Sequence, residues 1–183
     1  SPIDARNLGI ETIYQDLALV EDLPIYRNIF LARELTNRHL GFLRLLDDKK
    51  MQAEAVKTLG TLHIDCGTVE QTVRHLSGGQ RQCVSLARSI YYNARLLAMD
   101  EPTAALGVAE STEVLNLIKH LKEQGRSVIV VTHNLNHIFS VCDRISVLRK
   151  GKMVGSRYTK DTTINEITDM ILGRGMSRPE AAS

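Results

Sequence analysis

The order of apolar and polar positions divides the chain into a mostly helical first half and a second half in which strands alternate with helices. Residues 9–14 form a short β-rich run that is led in by a glycine, so we predict a strand that delivers Gln15 to its end. Residues 22–34 are predicted to be helical, and a second helix is predicted to begin near Asp47. We expect no convincing strand between residues 23 and 91.

The clearest helix signal begins after Ser77. The apolar residues that follow recur at the i, i+3, i+4, i+7, i+8 spacing of one helix face: Cys83, Leu86, Ala87, Ile90 and Tyr91. Ser77 is a natural N-cap, and Gly78 and Gly79 lie in the first turn. Because adjacent glycines inside a helix cost roughly 0.5–1 kcal/mol each, their place at its start suggests that a ligand approaches the backbone closely.

The free N–H groups and the positive dipole end of such a helix favour an anion. Ser77 and Gln80 add hydrogen-bonding side chains beside these groups. The alternative is a glycine-rich helix start that serves only as a turn.

The second half begins with residues 96–99, a short apolar run that stops at Asp100 and Glu101. Residues 127–131 are the most strand-like run, continuous enough to be buried on both faces, and His133 follows them. The remaining predictions are a helix before residue 125, a helix around 135–142, a strand at 144–148, a hairpin turn at 150–152, and a helix that starts with a capping box at Thr163 and stops at Gly173.

Composition excludes several classes of protein. Of the 183 residues, 43% are apolar and 24% are charged, which is typical of globular proteins. The aromatic content of 4% and a dispersed net charge of +2 give no indication of nucleic-acid binding. The apolar runs are shorter than the roughly 18 residues that a membrane span needs, and no signal peptide is visible. Cys66, Cys83 and Cys142 are scattered without metal-ligand spacing and are interpreted as reduced core thiols of a cytosolic protein.

The polar residues at the predicted strand ends are candidates for chemistry. An apolar strand that ends in Asp100 and Glu101 is typical of nucleotide hydrolases, in which one carboxylate helps to hold Mg²⁺ and the other polarises a water. His133 is suited to a hydrogen bond with a phosphate, and Gln15 to one with a metal-bound water. Taken singly, each has a plainer alternative: a solvated strand end for the acids, a surface or cap residue for His133, and a loop residue for Gln15.

Together these signals resemble the motifs of ATP-binding cassette (ABC) ATPases, in the order in which that family has them. The matching stretches are the Q-loop (14–16), the signature motif (76–82), the Walker B motif (96–103) and the H-loop (132–134). The resemblance covers about residues 6–172. It implies an α/β fold: a P-loop NTPase-like sheet with flanking helices and an inserted α-helical subdomain, with the N-terminal part absent. Residues 5–16 and 28–34 look most like bacterial importers of simple sugars, of the ribose, xylose and fructose type.

The resemblance also implies cofactors and site residues. The cofactors are ATP and Mg²⁺. Asp100 would bind Mg²⁺ through water, Glu101 would be the general base, Gln15 would touch the metal or the water, and His133 would sense the γ-phosphate. The signature residues would bind the ATP held by an opposite subunit: Ser77, Gly78, Gly79 and Gln80.

The implied organisation has four segments: a Q-loop strand of the catalytic core (1–22), an α-helical subdomain with the signature motif (23–91), a RecA-like core with Walker B and H-loop (92–173) and a flexible tail (174–183). The implied partners are a second ATPase subunit in a head-to-tail dimer, transmembrane permease subunits and, indirectly, a periplasmic sugar-binding protein. No nucleic acid is expected as a partner. The protein is expected to be peripheral, on the cytoplasmic face of the inner membrane.

The sequence departs from the family in two places. A Walker A motif needs Gly, four residues, Gly-Lys and Ser or Thr, and the only Gly-Lys pair, Gly151 and Lys152, has Ser146 and Met153 at the other two positions. We therefore expect a fragment or incomplete gene product that does not hold ATP alone, with residues 10–14 and 96–99 partly unpaired as sheet edges. Gly107 stands where the family usually has an Asp that helps to pair the subunits.

Two other functions remain open at this point. One is a non-catalytic interaction module that docks on a membrane partner or supplies the signature motif to another subunit. The other is a soluble ABC protein of repair or translation, although such proteins usually carry coiled-coil insertions or paired cassettes.

Overall fold

The computed structural model describes residues 1–40 and 43–174. Contacts within the chain define two compact units, Ser1–Val131 and Thr132–Ser183. Within the described ranges, no helix combines the length and the apolar character that a membrane crossing requires.

The first unit combines a parallel sheet with a group of packed helices. Its elements, in chain order, are α1 (Pro2–Asn7), β1 (Ile10–Ile13), α2 (Ile25–Ile29), β2 (Thr36–Leu40), β3 (Leu43–Leu46), α3 (Asp48–Thr61), a 3-10 turn (Val73–His75), α4 (Gly78–Tyr91), β4 (Leu96–Asp100), α5 (Val108–Glu123) and β5 (Ser127–Val131). The predicted starts of α3 and α4 are confirmed, because Asp47 and Ser77 cap them with their side chains. The predicted strands at β1, β4 and β5 are confirmed as well.

The sheet has the strand order β1-β4-β5, and both pairs are parallel. β4 is therefore the central strand, and the expectation that residues 96–99 form a sheet edge is wrong. The expectation that β5 is buried on both faces is also wrong, because Ile129 and Val131 are 51% and 57% exposed. β5 is an end strand of this sheet. An unbroken apolar run in the sequence does not distinguish such a strand from a central one.

The first predicted helix and the strand-free stretch after it need correction. Of residues 22–34, only Ile25–Ile29 are α-helical. β2 and β3 then pair antiparallel, with Thr36 opposite Leu46, so the expectation of no strand between residues 23 and 91 is wrong. β2 consists mostly of polar residues, so the sequence has no apolar run or clean alternation there that would predict a strand.

α4 is the central helix of the first unit. It contacts α2, α3, α5 and β1, and its buried residues include Cys83, Val84, Leu86 and Ala87. Burial raises the pKa of the Cys66 thiol to about 11 and that of the Cys83 thiol to about 12, so both stay protonated at neutral pH. This agrees with the prediction of core thiols for Cys66 and Cys83, whereas Cys142 is only half-buried.

Asn28 fastens α2 to the segment before it. Its side chain is fully buried, its Oδ1 accepts from the Val20 N–H at 2.8 Å, and its Nδ2 donates to the carbonyls of Val20, Leu23 and Pro24 at 3.0–3.2 Å. One amide thus satisfies backbone groups of a segment that has no regular structure of its own.

The second unit is smaller and closely follows the sequence prediction. It contains α6 (Leu135–Val141), β6 (Arg144–Arg149), β7 (Lys152–Tyr158), a 3-10 turn (Thr159–Asp161) and α7 (Ile164–Leu172). β6 and β7 form an antiparallel hairpin whose turn residues, Lys150 and Gly151, both have positive φ, as a tight hairpin turn requires. Its core consists of Ile138, Ile145, Val147, Ile167 and Met170. The predicted tail lies, from residue 175, outside the described residues.

Replacing Asn28 by Ala should lower the free energy of unfolding by about 2–3 kcal/mol, because it removes the hydrogen bonds that a fully buried amide makes to the Val20 N–H and to three backbone carbonyls. Urea denaturation followed by circular dichroism measures this loss. Asn116→Ala, at an exposed position of α5, is the matched control and should change stability by less than about 0.5 kcal/mol. Equal effects of the two substitutions would contradict a structural role for the Asn28 network.

Candidate functional site

Three of the predicted site residues lie at one edge of the sheet. β1 and β4 are parallel neighbours, and Ile13 pairs with Met99 at their carboxyl ends. Gln15 lies two residues after the end of β1, while Asp100 ends β4 and Glu101 comes next. The carboxyl edge of a parallel sheet is where α/β folds bind ligands, so the sheet brings these residues to the same place.

The backbone at Glu101 is held in an unusual conformation. Its φ is +46°, in the left-handed region that costs a non-glycine residue of order 1–3 kcal/mol. Its N–H donates to the Val131 carbonyl at the end of β5, with a distance of 2.8 Å. This hydrogen bond fixes the turn after β4, and with it the position of the Glu101 backbone, against the neighbouring strand.

The donor set at this edge suits Mg²⁺ better than a metal that is held by protein alone. No group of three or more His, Cys, Asp or Glu side chains that could hold a metal occurs in residues 1–40 and 43–174. Mg²⁺ usually keeps several waters and takes only one or two carboxylates plus substrate phosphates. Asp100, which is exposed at the strand end, and the adjacent Glu101 fit that requirement.

The start of α4 has the geometry that the sequence predicts. The Ser77 N–H donates to Gln80 Oε1 at 3.0 Å and the Gln80 N–H donates to Ser77 Oγ at 3.3 Å, which is a reciprocal capping box. Gln80 Nε2 also donates to the Asp65 carbonyl at 3.2 Å. Ser77 and Gln80 thus fix the conformation of the first turn, and Ser77 and Gly78 are exposed.

The two glycines of α4 allow a close approach to the segment that follows β4. A Cβ on Gly78 would lie 2.7 Å from Leu106 Cδ2, and one on Gly79 would lie 3.0 Å from Glu110 Cβ and 3.4 Å from Glu110 Cα. Contacts below about 3.4 Å force neighbouring atoms to move. The glycines therefore do more than form a turn, because they let α4 pack against the start of α5.

Glu110 lies at this contact and was not among the predicted site residues. Its Oε2 accepts from the Gly107 N–H at 3.1 Å. That hydrogen bond, the Ser77 hydroxyl and the N–H groups of Gly79 and Gly78 lower the pKa of the Glu110 carboxyl. The spacing of Gly107 and Glu110 is that of a capping box, which predicts the first contact, but no local pattern predicts that the carboxylate faces α4.

Two arginines of α4 hold the segment after Gln15, and these too were missed. Arg88 donates from Nη2 to the Leu17 carbonyl at 3.0 Å and from Nη1 to the Ala18 carbonyl at 3.1 Å. Arg81 Nη1 lies 3.0 Å from Glu21 Oε1 in an ion pair. These contacts join residues about 60–70 positions apart, so the sequence carries no local signal for them.

His133 and the Gly-Lys pair belong to the second unit. His133 is exposed and lies between β5 and α6. Gly151 and Lys152 lie at the β6–β7 hairpin turn rather than at the start of a helix, where a phosphate-binding loop would place them.

Comparison with known proteins identifies one family, and the similar proteins named here are import ATP-binding proteins. The family model "ABC transporter" matches residues 2–104. The chain is 50% identical over 171 residues to the xylose/arabinose import ATP-binding protein XylG of Sulfolobus acidocaldarius, covering 93% of this chain and 66% of the relative. It is 40% identical over 178 residues to the fructose import ATP-binding protein FrcA of Rhizobium meliloti, covering 94% and 68%.

Solved structures agree on the fold. A dimeric ATP-binding cassette bound to ADP and Pi in a post-hydrolysis state superposes with a TM-score of 0.63 at 25% identity, covering 82% of this chain and 62% of that one. The predicted α/β cassette fold is thereby confirmed. The chain spans about two thirds of the length of these two relatives and about one third of the length of other relatives that it matches.

Gly79→Ala should destabilise the protein by about 1–3 kcal/mol, because the added methyl group overpacks the contact with α5. Gly60→Ala is the matched control, since a Cβ there meets nothing within 4 Å in α3. That change should stabilise the protein by about 0.5–1 kcal/mol through helix propensity. Opposite signs in urea denaturation are expected; a stabilising Gly79→Ala would refute the close approach.

Proposed function

The chain belongs to the ABC transporter family, and we propose that it forms part of the ATP-hydrolysing subunit of an importer of simple sugars. The observation that carries this proposal is the meeting of Gln15, Asp100 and Glu101 at the carboxyl edge of the parallel sheet. The relatives named for the import of xylose/arabinose and of fructose support the class of cargo.

The proposed chemistry divides the work among residues at this edge. Bound Mg²⁺ neutralises phosphate charge and orients the phosphates for in-line attack. Asp100 holds the waters of that ion, and Glu101 accepts a proton from the attacking water. Gln15 orients the water through its amide. For His133, which belongs to the second unit, we propose a hydrogen bond to the terminal phosphate from the family resemblance alone.

The start of α4 serves a different nucleotide. We propose that Ser77, Gly78, Gly79 and Gln80 contact the γ-phosphate of ATP that a second subunit holds, in a head-to-tail dimer. The exposure of Ser77 and Gly78 supports this role, because the exposed N-terminus of a helix attracts an anion. The dimeric state of the solved cassette is consistent with such pairing.

The remaining assignments concern organisation and partners. We propose that residues 23–91 act as the subdomain that meets the transmembrane permease, with residues 1–22 and 92–173 in the catalytic core. The subunit would then lie on the cytoplasmic face of the membrane, and a periplasmic binding protein would deliver the sugar to the permease.

A non-catalytic interaction module is the second candidate. The position of Gly151 and Lys152 at a hairpin turn favours it, since that pair forms no phosphate-binding loop. Micromolar binding of Mg-ATP by the chain, measured by isothermal titration, would contradict the module and also the expectation that the chain does not hold ATP alone.

Glu101→Gln should reduce ATP turnover by the assembled transporter by about 10²-fold or more, because the amide cannot accept the proton. Binding of ATP should persist. Turnover is measured as phosphate release in reconstituted vesicles, and binding as retention of a fluorescent ATP analogue. Glu70→Gln, an exposed loop position, is the matched control and should leave turnover unchanged. Normal turnover in Glu101→Gln would exclude Glu101 as the base.

A further inference from the structure

We propose that the Glu110 carboxylate occupies the start of α4 when no nucleotide is bound and competes there with the phosphate of the partner subunit's ATP. Glu110 is thus a positioning residue of the signature motif. The inference rests on the proposed function, which brings that phosphate to Ser77, Gly78 and Gly79.

The geometry puts an anion next to the groups that a phosphate needs. The backbone of Glu110 is in close contact with Gly79, where an added Cβ would lie 3.4 Å from Glu110 Cα. Its Oε2 lies 3.9 Å from the Cβ position of Gly78. The carboxylate therefore lies over the first turn of α4, on the side where the glycines leave the backbone open.

The same groups stabilise the charge of Glu110. The Gly107 N–H, the Ser77 hydroxyl and the N–H groups of Gly79 and Gly78 together lower the pKa of the carboxyl, so it is ionised at neutral pH. Two anions cannot both use the helix start without repulsion. A phosphate that binds Ser77 and the glycine N–H groups must therefore displace the carboxylate or bind more weakly beside it.

Displacement of Glu110 has a second consequence. Its Oε2 also accepts from the Gly107 N–H at 3.1 Å, at the N-cap of α5. The displaced carboxylate can keep its hydrogen bond to the Gly107 N–H, or it can lose that bond together with its contact with α4. In either case the segment 104–107 is held against α4 differently. Glu110 thus couples occupancy at the start of α4 to the segment that follows the Walker B motif.

A purely structural role as the capping residue of α5 is the competing explanation. Glu110→Gln distinguishes the two, because a Gln side chain still offers an oxygen to the Gly107 N–H but carries no charge. The melting temperature of this variant should stay close to that of the parent chain. Glu113→Gln is the matched control, since it removes one charge from an exposed position one turn further along α5.

The experiment follows the amide signals of Ser77, Gly78 and Gly79 by NMR while the chain is titrated with orthophosphate at pH 7 and low ionic strength. Glu110→Gln should bind phosphate at these amides at least about 5-fold more tightly than the parent, as expected for removal of a nearby like charge. Glu113→Gln should stay within about 2-fold of the parent.

Equal affinities of Glu110→Gln and the parent would overturn the inference and leave the proposed function standing. An equal gain in both variants would overturn it as well, because it would show a general charge effect. Failure of every form to bind phosphate at these amides would overturn it and also count against the signature site of the proposed function, whereas the Glu101 assignment would be judged by turnover alone.

Discussion

The contact between α4 and the start of α5 is the constraint on which the rest of the first unit depends. It exists because Gly79 places no side chain between the two backbones and Gly78 leaves room for the Leu106 side chain. The segment that leaves β4 therefore has a fixed distance to α4. Since β4 is the central strand and the Glu101 N–H is bonded to the Val131 carbonyl, the same segment is held from the sheet side as well.

α4 also positions the other half of the site. Arg88 donates to two consecutive carbonyls just beyond Gln15, and Arg81 pairs with Glu21. A bidentate guanidinium on backbone carbonyls fixes direction as well as distance. One helix thus contacts the segment after β1 through Arg81 near its start and Arg88 in its last turn, and the segment after β4 through its first turn.

The sequence predicts the parts of this arrangement that have local causes. The Ser77 cap, the glycine-rich first turn, the strand that ends at Asp100 and the turn at Gly151 follow from side-chain chemistry and spacing within a few residues. The sequence has no such local signal for contacts between residues that are far apart in the chain. These are the hydrogen bonds of Arg81 and Arg88 and the approach of Glu110 to α4. The sequence does not predict the β2–β3 hairpin because β2 is mostly polar and has no apolar run. It does not predict the exposure of β5 because an apolar run carries no information on which elements cover the strand.

The departure at Gly107 acquires a physical meaning from the same contact. An Asp at this N-cap would accept from the first turn of α5 with its own side chain. Gly107 has no side chain that could do this, whereas its own N–H donates to the carboxylate of Glu110, three positions along. The side-chain oxygen that holds this N-cap therefore comes from a residue that also packs against Gly79 of α4. The segment that leaves β4 and the first turn of α4 are thus both in contact with the same glutamate.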